Sequence, residues 1–187
     1  KRTDTGVALD NLLTFQLASA LSGYDDVRGG QFYQQVQDRI AASPGVTAVG
    51  YGAVPILSGD EWDSTMSVEG HKAVDGEDLQ AFMNSLSPGY FETMKIPLLD
   101  GRDFRPGDAG QLGADGTPET TVAIVNKRFA DHFFKGQSAI GRHIGFGDRP
   151  GMKFGIEIVG VVADSLYEGP REGVRRLTQG RGQFVDD

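Results

Sequence analysis

The chain has 187 residues, a formal net charge of −8 and 39% hydrophobic residues, which fits one globular domain or two small lobes sharing a core. It contains no cysteine, and this excludes disulfides and thiolate chemistry. Residues 60–119 hold 13 acidic and 4 basic residues, whereas the remainder holds 13 and 14. This acidic middle block argues against nucleic acid as a partner, because phosphates would be repelled.

The first third of the chain has the pattern of a strand, a helix and a second strand. Residues 1–10 are polar without periodicity and predict a leading linker, and residues 11–19 alternate like a half-buried strand. Residues 27–42 repeat apolar side chains at four-residue steps, which predicts an amphipathic helix that ends at Ser43-Pro44-Gly45. With residues 46–54 as the second strand, the order is typical of a split β-α-β unit.

The stretch from Phe82 to Arg105 is the one around which the rest of the chain is organised. Ser87 is predicted to cap a short helical turn, with Pro88 at its first position. Phe91 and Met94 lie three apart and are expected in one core. Pro97 predicts that the following segment is an edge strand or a loop. Alternation predicts two further strands, at residues 62–69 and 81–86.

The second half of the chain contains the most hydrophobic predicted strands. Residues 104–119 read as a long surface loop, and residues 120–125 as a buried strand after which Asn126 caps a short helix. Residues 142–146 predict another strand, and residues 156–163 predict a central one. Beyond Asp164 the pattern dissolves, so residues 171–187 are predicted to be an exposed or truncated C-terminal arm.

None of the polar residues forms a recognisable catalytic or metal-binding motif. His71, His132 and His143 are far apart and match no metal spacing, so each is interpreted as a surface or packing residue. Gly50-Tyr51-Gly52 and Gly145-Phe146-Gly147 do not open a helix after a strand and are read as bulges or turns. We therefore predict no catalytic, cofactor-binding or metal-binding residues, no cofactor and no enzymatic activity.

The acidic side chains of the middle block are also predicted to form no catalytic or metal-binding site. The pairs Asp60/Glu61 and Glu77/Asp78 are read as solvated loop charges. Asp108, Asp115 and Glu119 fail the spacing of a calcium loop, which leaves adventitious calcium binding as a minor alternative. Whether the acidic block is a contact surface stays open at this point.

The predicted elements give an α+β fold with a mixed sheet. Residues 11–54 and 120–164 are expected to build an α/β lobe, and residues 60–119 a smaller β-rich lobe inserted into it. No apolar run reaches the 18 residues that a transmembrane helix needs, and no signal peptide is present. The chain itself is therefore not expected to span a bilayer.

An ordered set of short motifs resembles the periplasmic core domain of MacB-like ABC transporter permeases over about residues 9–170. The set comprises Asn11-Leu12-Leu13-Thr14-Phe15, Pro44-Gly45-Val46, Ser87-Pro88-Gly89-Tyr90-Phe91, Ile96-Pro97-Leu98-Leu99-Asp100-Gly101-Arg102-Asp103-Phe104, Val122-Ala123-Ile124-Val125-Asn126, Ile140-Gly141-Arg142 and Ile158-Val159-Gly160-Val161-Val162-Ala163-Asp164. The resemblance implies a porter-like α/β lobe with a smaller β-rich lobe. It also implies insertion between two transmembrane helices, on the periplasmic side of the bacterial inner membrane.

The resemblance implies that this chain is a non-catalytic domain of an export or signalling system. It would couple ATP hydrolysis by a cytoplasmic ATP-binding domain or subunit to efflux, or to handling of substrates and periplasmic partners such as an adaptor or chaperone. The family usually continues past the Val-Gly-Val-Val strand with a strand–helix–strand segment, which residues 175–187 do not resemble. The porter-like lobe is therefore expected to be incomplete in this chain.

Two alternatives remain open on the sequence alone. The first is a free-standing periplasmic or secreted ligand-binding domain that is not part of a transporter. The second is a hydrolase with an unfamiliar site, whose minimum sign would be a pocket that joins His132 or His143 to a carboxylate and a serine.

Overall fold

A computed structural model describes residues 10–17, 26–55, 62–108, 119–147, 154–165 and 177–179. In these residues three α-helices, a short 3₁₀ turn and seven strands follow one another along the chain. They are α1 (Asp26–Ala41), β1 (Asp63–Val68), β2 (Gln80–Asn84), α2 (Tyr90–Thr93), β3 (Leu98–Gly101), the 3₁₀ turn (Pro106–Asp108), β4 (Val122–Asn126), α3 (Lys127–Phe134), β5 (His143–Phe146), β6 (Ile156–Val162) and β7 (Leu177–Gln179).

The seven strands form one mixed sheet in the order β3-β6-β4-β7-β2-β1-β5. The pairs β4–β6 and β2–β7 are parallel, and the other pairs are antiparallel. Because β5 also pairs with β6, the pairings from β6 through β4, β7, β2, β1 and β5 close into a ring of six strands. β3 lies outside this ring, beside the second half of β6. The predicted α+β class is confirmed.

β4 and β6 are buried on both faces apart from the exposed Glu157, which explains why their sequences are mostly apolar. One face of the two strands joins a core that includes Phe129 and Phe133 of α3, and the opposite face joins a core that includes Phe91 and Met94 around α2. The first face carries Ala123, Val125, Ile158 and Val161, and the second carries Val122, Ile124, Val159 and Val162. The sheet therefore separates two apolar cores.

Several predicted elements are confirmed with small shifts of their ends. α1 corresponds to the predicted helix 27–42. β1 corresponds to the predicted strand 62–69, and β5 corresponds to the predicted strand 142–146. β6 has neighbours on both of its edges, as expected for a central strand. Asn126 caps α3 because its Oδ1 accepts a hydrogen bond from the Phe129 N–H at 3.0 Å.

The predicted strand at residues 11–19 is wrong for the part that the structure describes. Residues 11–17 form no strand, and two of the apolar side chains that produce the alternation are exposed, Leu13 at 84% and Phe15 at 58%. Leu12 instead packs against the core around α2. The alternation of apolar and polar residues gave a wrong prediction because a half-buried strand also needs a neighbouring strand. Residues 11–17 have no such neighbour among the described residues.

The predicted strand at residues 46–54 is likewise not part of the sheet, so among the described residues neither strand of the predicted split β-α-β unit forms. This segment is joined to the residues after β2 by a single bridge, between Gly52 and Leu86. Beyond the bridge, the Asn84 side chain replaces a backbone partner, since its Oδ1 accepts from the Val54 N–H at 2.9 Å and its Nδ2 donates to the Val54 carbonyl at 2.8 Å. Sequence periodicity does not reveal pairing through a side chain.

The turn before α2 differs from its prediction at Ser87 and at Pro88, which precedes the N-cap and is therefore not the first helical residue. Ser87 does not cap the helix, because Gly89, in a left-handed conformation with φ 81°, occupies the N-cap position. The Ser87 hydroxyl instead accepts a hydrogen bond from the Tyr51 N–H at 2.9 Å. Phe91 and Met94 do enter one core, as predicted, and β3 after Pro97 is an edge strand.

The structure also bears on the predicted lobes and the C-terminal arm. Strands from residues 60–119 and from residues 120–164 hydrogen-bond to one another in the same sheet, and their division into lobes stays a prediction. Within the predicted arm 171–187, residues 177–179 form the strand β7. Three residues are too few for a periodic pattern, which is why this strand was not predicted. The leading linker at 1–9, the loop residues 109–118 and the rest of the arm lie outside the described residues.

Candidate functional site

The two motifs that flank α2 are joined by a single carboxylate. Asp103 accepts a hydrogen bond from the Gly89 N–H through Oδ2 at 3.0 Å, and from the Phe104 N–H through Oδ1 at 2.7 Å. The Ser-Pro-Gly-Tyr-Phe turn at residues 87–91 and the Gly-Arg-Asp-Phe segment at residues 101–104 are thereby held together. We refer to these two segments as the motif junction.

Gln37 ties α1 to the motif junction. Its Nε2 donates to two backbone carbonyls, those of Val49 and Pro88, both at 2.8 Å. The Ser87 N–H in turn donates to the Tyr51 carbonyl at 2.9 Å. One side-chain amide therefore holds a helix, the segment that follows it and the turn before α2 in a fixed arrangement.

A bidentate ion pair closes the loop after the motif junction. Arg102 donates to both carboxylate oxygens of Asp108, at 2.6 and 2.9 Å, and the Arg105 N–H donates to the same carboxylate at 2.7 Å. Hydrogen bonding to Arg102 lowers the pKa of Asp108, and the same contact raises the pKa of Arg102. Asp108, one of the residues weighed for calcium, is thus engaged by an arginine.

Close backbone contacts explain why the motifs contain glycine. A Cβ atom added to Gly101 would lie 2.3 Å from the Val159 carbonyl oxygen, and one added to Gly160 would lie 2.4 Å from the Arg102 carbonyl oxygen. Between them, the Arg102 N–H donates to the Val159 carbonyl at 2.9 Å. The two segments can approach this closely only because neither glycine carries a side chain.

The structure brings together two histidines that the sequence gave no reason to pair. His71 Nε2 lies 3.0 Å from both oxygens of Glu77, and His132 Nε2 lies 2.8 Å from Glu77 Oε1. Both rings also meet the Phe133 ring edge to face. This His71–Glu77–His132 cluster fastens the connection between β1 and β2 to α3.

Glu77 is consequently not the solvated loop charge that was predicted. Its side chain is only 10% exposed, and the Val74 N–H donates to Oε2 at 3.0 Å. Hydrogen bonds from Val74, His132 and His71 lower the pKa of Glu77 to about 2. Because Glu77 bonds to residues of both the β1–β2 connection and α3, we interpret the cluster as a structural contact between them. Within the described residues no group of three His, Asp or Glu side chains could hold a metal ion.

The remaining candidate residues are dispersed. His143 Nδ1 contacts the exposed Glu69 at 3.2 Å, whereas Asp60, Glu61 and Asp115 lie outside the described residues. A cavity of about 20 Å³, room for about one water, is lined by Trp62, Met66, Met83, Asn84, Ser85, Thr120, Ala123, Ile144, Phe146 and Ile156. It includes neither His132 nor His143, so it is not the pocket that a hydrolase would need.

The outer edge of the sheet presents apolar side chains to solvent. Leu98 and Leu99 of β3 are 42% and 50% exposed. The pairing of β3 with β6 shifts register between Leu98 and Asp100, and such an irregularity turns side chains away from their regular direction. Separately, the described residues include no helix that is both long enough and apolar enough to cross a membrane.

Three solved structures of transporter domains are similar to part of this chain. The periplasmic region of MacB from Actinobacillus actinomycetemcomitans is 14% identical with a TM-score of 0.48, and the match covers 79% of this chain and 53% of that one. The extracellular domain of the noncanonic ABC-type transporter YknZ from Gram-positive bacteria is 19% identical with a TM-score of 0.45, covering 79% and 60%. A domain of a putative permease from Porphyromonas gingivalis is 16% identical with a TM-score of 0.44, covering 72% and 46%.

The chain thus spans between about half and 60% of these solved structures. No curated protein matches it. The family model described as the MacB-like periplasmic core domain matches residues 3–177, a range that contains the motif junction and every described strand except the last two residues of β7. The resemblance of the ordered motifs is confirmed, and the chain belongs to the MacB-like periplasmic core domain family of ABC transporter permeases.

Proposed function

We propose that this domain is a non-catalytic, extracytoplasmic part of an ABC transporter permease that transmits motion between membrane helices and periplasmic partners or substrate. The observation that carries the proposal is the motif junction. Asp103 and Gln37 connect α1, α2 and the segment beside β6 by hydrogen bonds of 2.8–3.0 Å. Elements fastened in this way move as one body, as a mechanical coupler requires.

The partners follow from the family. The permease supplies flanking transmembrane helices, an ATP-binding domain or subunit supplies the energy on the cytoplasmic side, and a periplasmic adaptor or chaperone receives the motion. The domain would stand on the periplasmic side of the bacterial inner membrane and serve in efflux. The exposed Leu98 and Leu99 on β3 offer apolar surface for such contacts.

The polar residues of the described part support a structural role. Asp103, Gln37 and Glu77 each join segments that are distant in the sequence. Catalysis would instead require such groups to converge on a pocket able to hold a substrate.

The proposal is tested by Asp103→Ala in the intact transporter, with ATP hydrolysis and transport measured in the same membranes. Loss of the bond to Gly89 should loosen the junction while the cytoplasmic ATPase keeps working, so transport per ATP hydrolysed should fall several-fold. Asp75→Ala, which removes an exposed loop carboxylate, is the matched control and should change neither quantity. Unchanged transport in a folded Asp103→Ala protein would contradict the proposal, as would hydrolase activity in the domain itself.

A further inference from the structure

All three histidines of the chain contact carboxylates of the connection between β1 and β2. His71 lies within this connection and His132 lies on α3, and Nε2 of each ring approaches Glu77, at 3.0 and 2.8 Å. His143 on β5 contacts Glu69 at 3.2 Å. The contacts of this connection with α3 and β5 therefore involve the one kind of side chain whose charge ordinarily changes near neutral pH.

The two sets of contacts differ in their exposure to water. Glu77 is largely buried, and both rings that approach it pack edge to face on Phe133. The side chains of His143 and Glu69 are 41% and 56% exposed, so water and salt screen this pair much more strongly. The other ionisable side chains of the connection and of α3 are exposed as well: Lys72, Asp75, Asp78, Lys127, Arg128, Asp131 and Lys135. A change of charge therefore matters most within the His71–Glu77–His132 cluster.

The geometry of the cluster determines where a further proton binds. Because the ionised Glu77 can only accept hydrogen bonds, each Nε2 carries a hydrogen, and Nδ1 is the ring nitrogen that can take up a proton. Protonation of one ring neutralises the charge of the carboxylate and turns the bond between them into a charge-assisted hydrogen bond. A second proton is opposed by the first, since the centres of the two rings are 6.5 Å apart. His71 and His132 therefore titrate as a coupled pair.

We propose that the His71–Glu77–His132 cluster is a pH-responsive contact, which takes up a proton between neutral and mildly acidic pH and then holds the β1–β2 connection more tightly on α3. The proton favours the closed contact because an imidazolium donates to a carboxylate more strongly than a neutral imidazole does. By linkage, the added stability is present while a ring is charged and is lost as the pH rises. This inference goes beyond the proposed function, because it concerns the folded chain whether or not the chain is part of a permease.

Hydrogen exchange in the purified full chain tests the proposal, because two backbone N–H groups report on the connection. The Val74 N–H donates to Glu77 Oε2, and the Glu77 N–H donates to the Val74 carbonyl, both at 3.0 Å. Their protection factors, measured by NMR and corrected for the intrinsic exchange rate, should rise about fivefold from about pH 7.5 to about pH 5.5. The Arg102 N–H, which is bonded to the Val159 carbonyl far from the cluster, should change by less than about twofold.

Glutamine variants separate the cluster from the exposed pair, since glutamine can donate a hydrogen bond but takes up no proton. The double variant His71→Gln/His132→Gln should abolish the rise in protection. His143→Gln is the matched control, because it makes the same change in the exposed pair, and it should keep the rise. The imidazole ¹⁵N shifts of the natural protein give a second measurement. Nδ1 of His71 or His132 should become protonated over the pH range in which exchange slows.

Three results would overturn the proposal. The first is a protection factor at Val74 and Glu77 that stays constant while the rings of the natural protein become protonated, a result that needs no variant to fold. The second is a full rise in the folded double variant. The third is loss of the rise in His143→Gln, since the exposed pair would then be the contact that responds to pH.

Discussion

At the scale of single residues, Glu77 connects parts of the chain that lie 55 positions apart. Its carboxylate accepts hydrogen bonds, so His71 and His132 must each present an N–H at Nε2 while Glu77 is ionised. Asp103 connects the two segments of the motif junction in a similar way, since it bonds to Gly89, 14 positions away. In both places one carboxylate holds together two segments that are distant in the sequence, and the periodic pattern of apolar residues gives no sign of this contact.

We predict that Glu77 makes the stability of the domain depend on pH in the acid range. The folded state lowers the pKa of this group from 4.5 to about 2, so its contribution is fully present above the pKa of the unfolded chain and is lost as the pH falls towards 2. The free energy of unfolding, measured by urea denaturation at several pH values, should therefore decrease more steeply below pH 4.5 in the natural protein than in Glu77→Gln.

The control for this experiment is Asp75→Asn, which changes an exposed carboxylate in the same connection. This variant should keep the pH profile of the natural protein. If Glu77→Gln gives the same profile as well, the His71–Glu77–His132 cluster does not hold the connection to α3 in solution.

At the scale of elements, burial decides which parts could be predicted from the sequence. β4 and β6 were predictable because both of their faces are largely buried, which makes their sequences mostly apolar. The segment at residues 46–54 was not, because Asn84 supplies hydrogen bonds that a strand would otherwise provide. The partner of a side chain such as Asn84 or Glu77 is set by the folded chain, which no local pattern encodes.

The contact between β6 and the residues after β3 yields a prediction at this scale. Gly160→Ala would place a Cβ 2.4 Å from the Arg102 carbonyl oxygen, and backbone cannot yield as a flexible side chain can. We expect a loss of about 1–3 kcal/mol in the free energy of unfolding. Gly155→Ala is the matched control, because its Cβ would meet no atom within 4 Å, and it should change stability by less than about 0.5 kcal/mol.

Thermal or urea unfolding of the two alanine variants provides the comparison. Equal stabilities of Gly160→Ala and Gly155→Ala would mean that the close approach of these two segments is absent in solution.

At the scale of the whole molecule, the fold class and the family were predictable, whereas the arrangement of strands was not. The family emerged from the order of many short motifs, none of which is specific by itself. The structure gives those motifs a physical meaning, since Gly89, Gly101, Asp103 and Gly160 all serve the close packing around the motif junction. The closed ring depends on β7, whose three residues carry no sequence signal.

If this domain is the outer part of a membrane-embedded permease, the complete reading frame around it encodes membrane-spanning helices, and sequencing that frame is the first experiment. We expect an apolar stretch of about 20 residues ahead of Lys1 and further such stretches beyond Asp187, each long enough to span a bilayer. A frame with only a cleavable signal peptide ahead of the domain and no membrane-spanning stretch after it would rule out the permease. Such a frame would instead identify a free-standing ligand-binding domain.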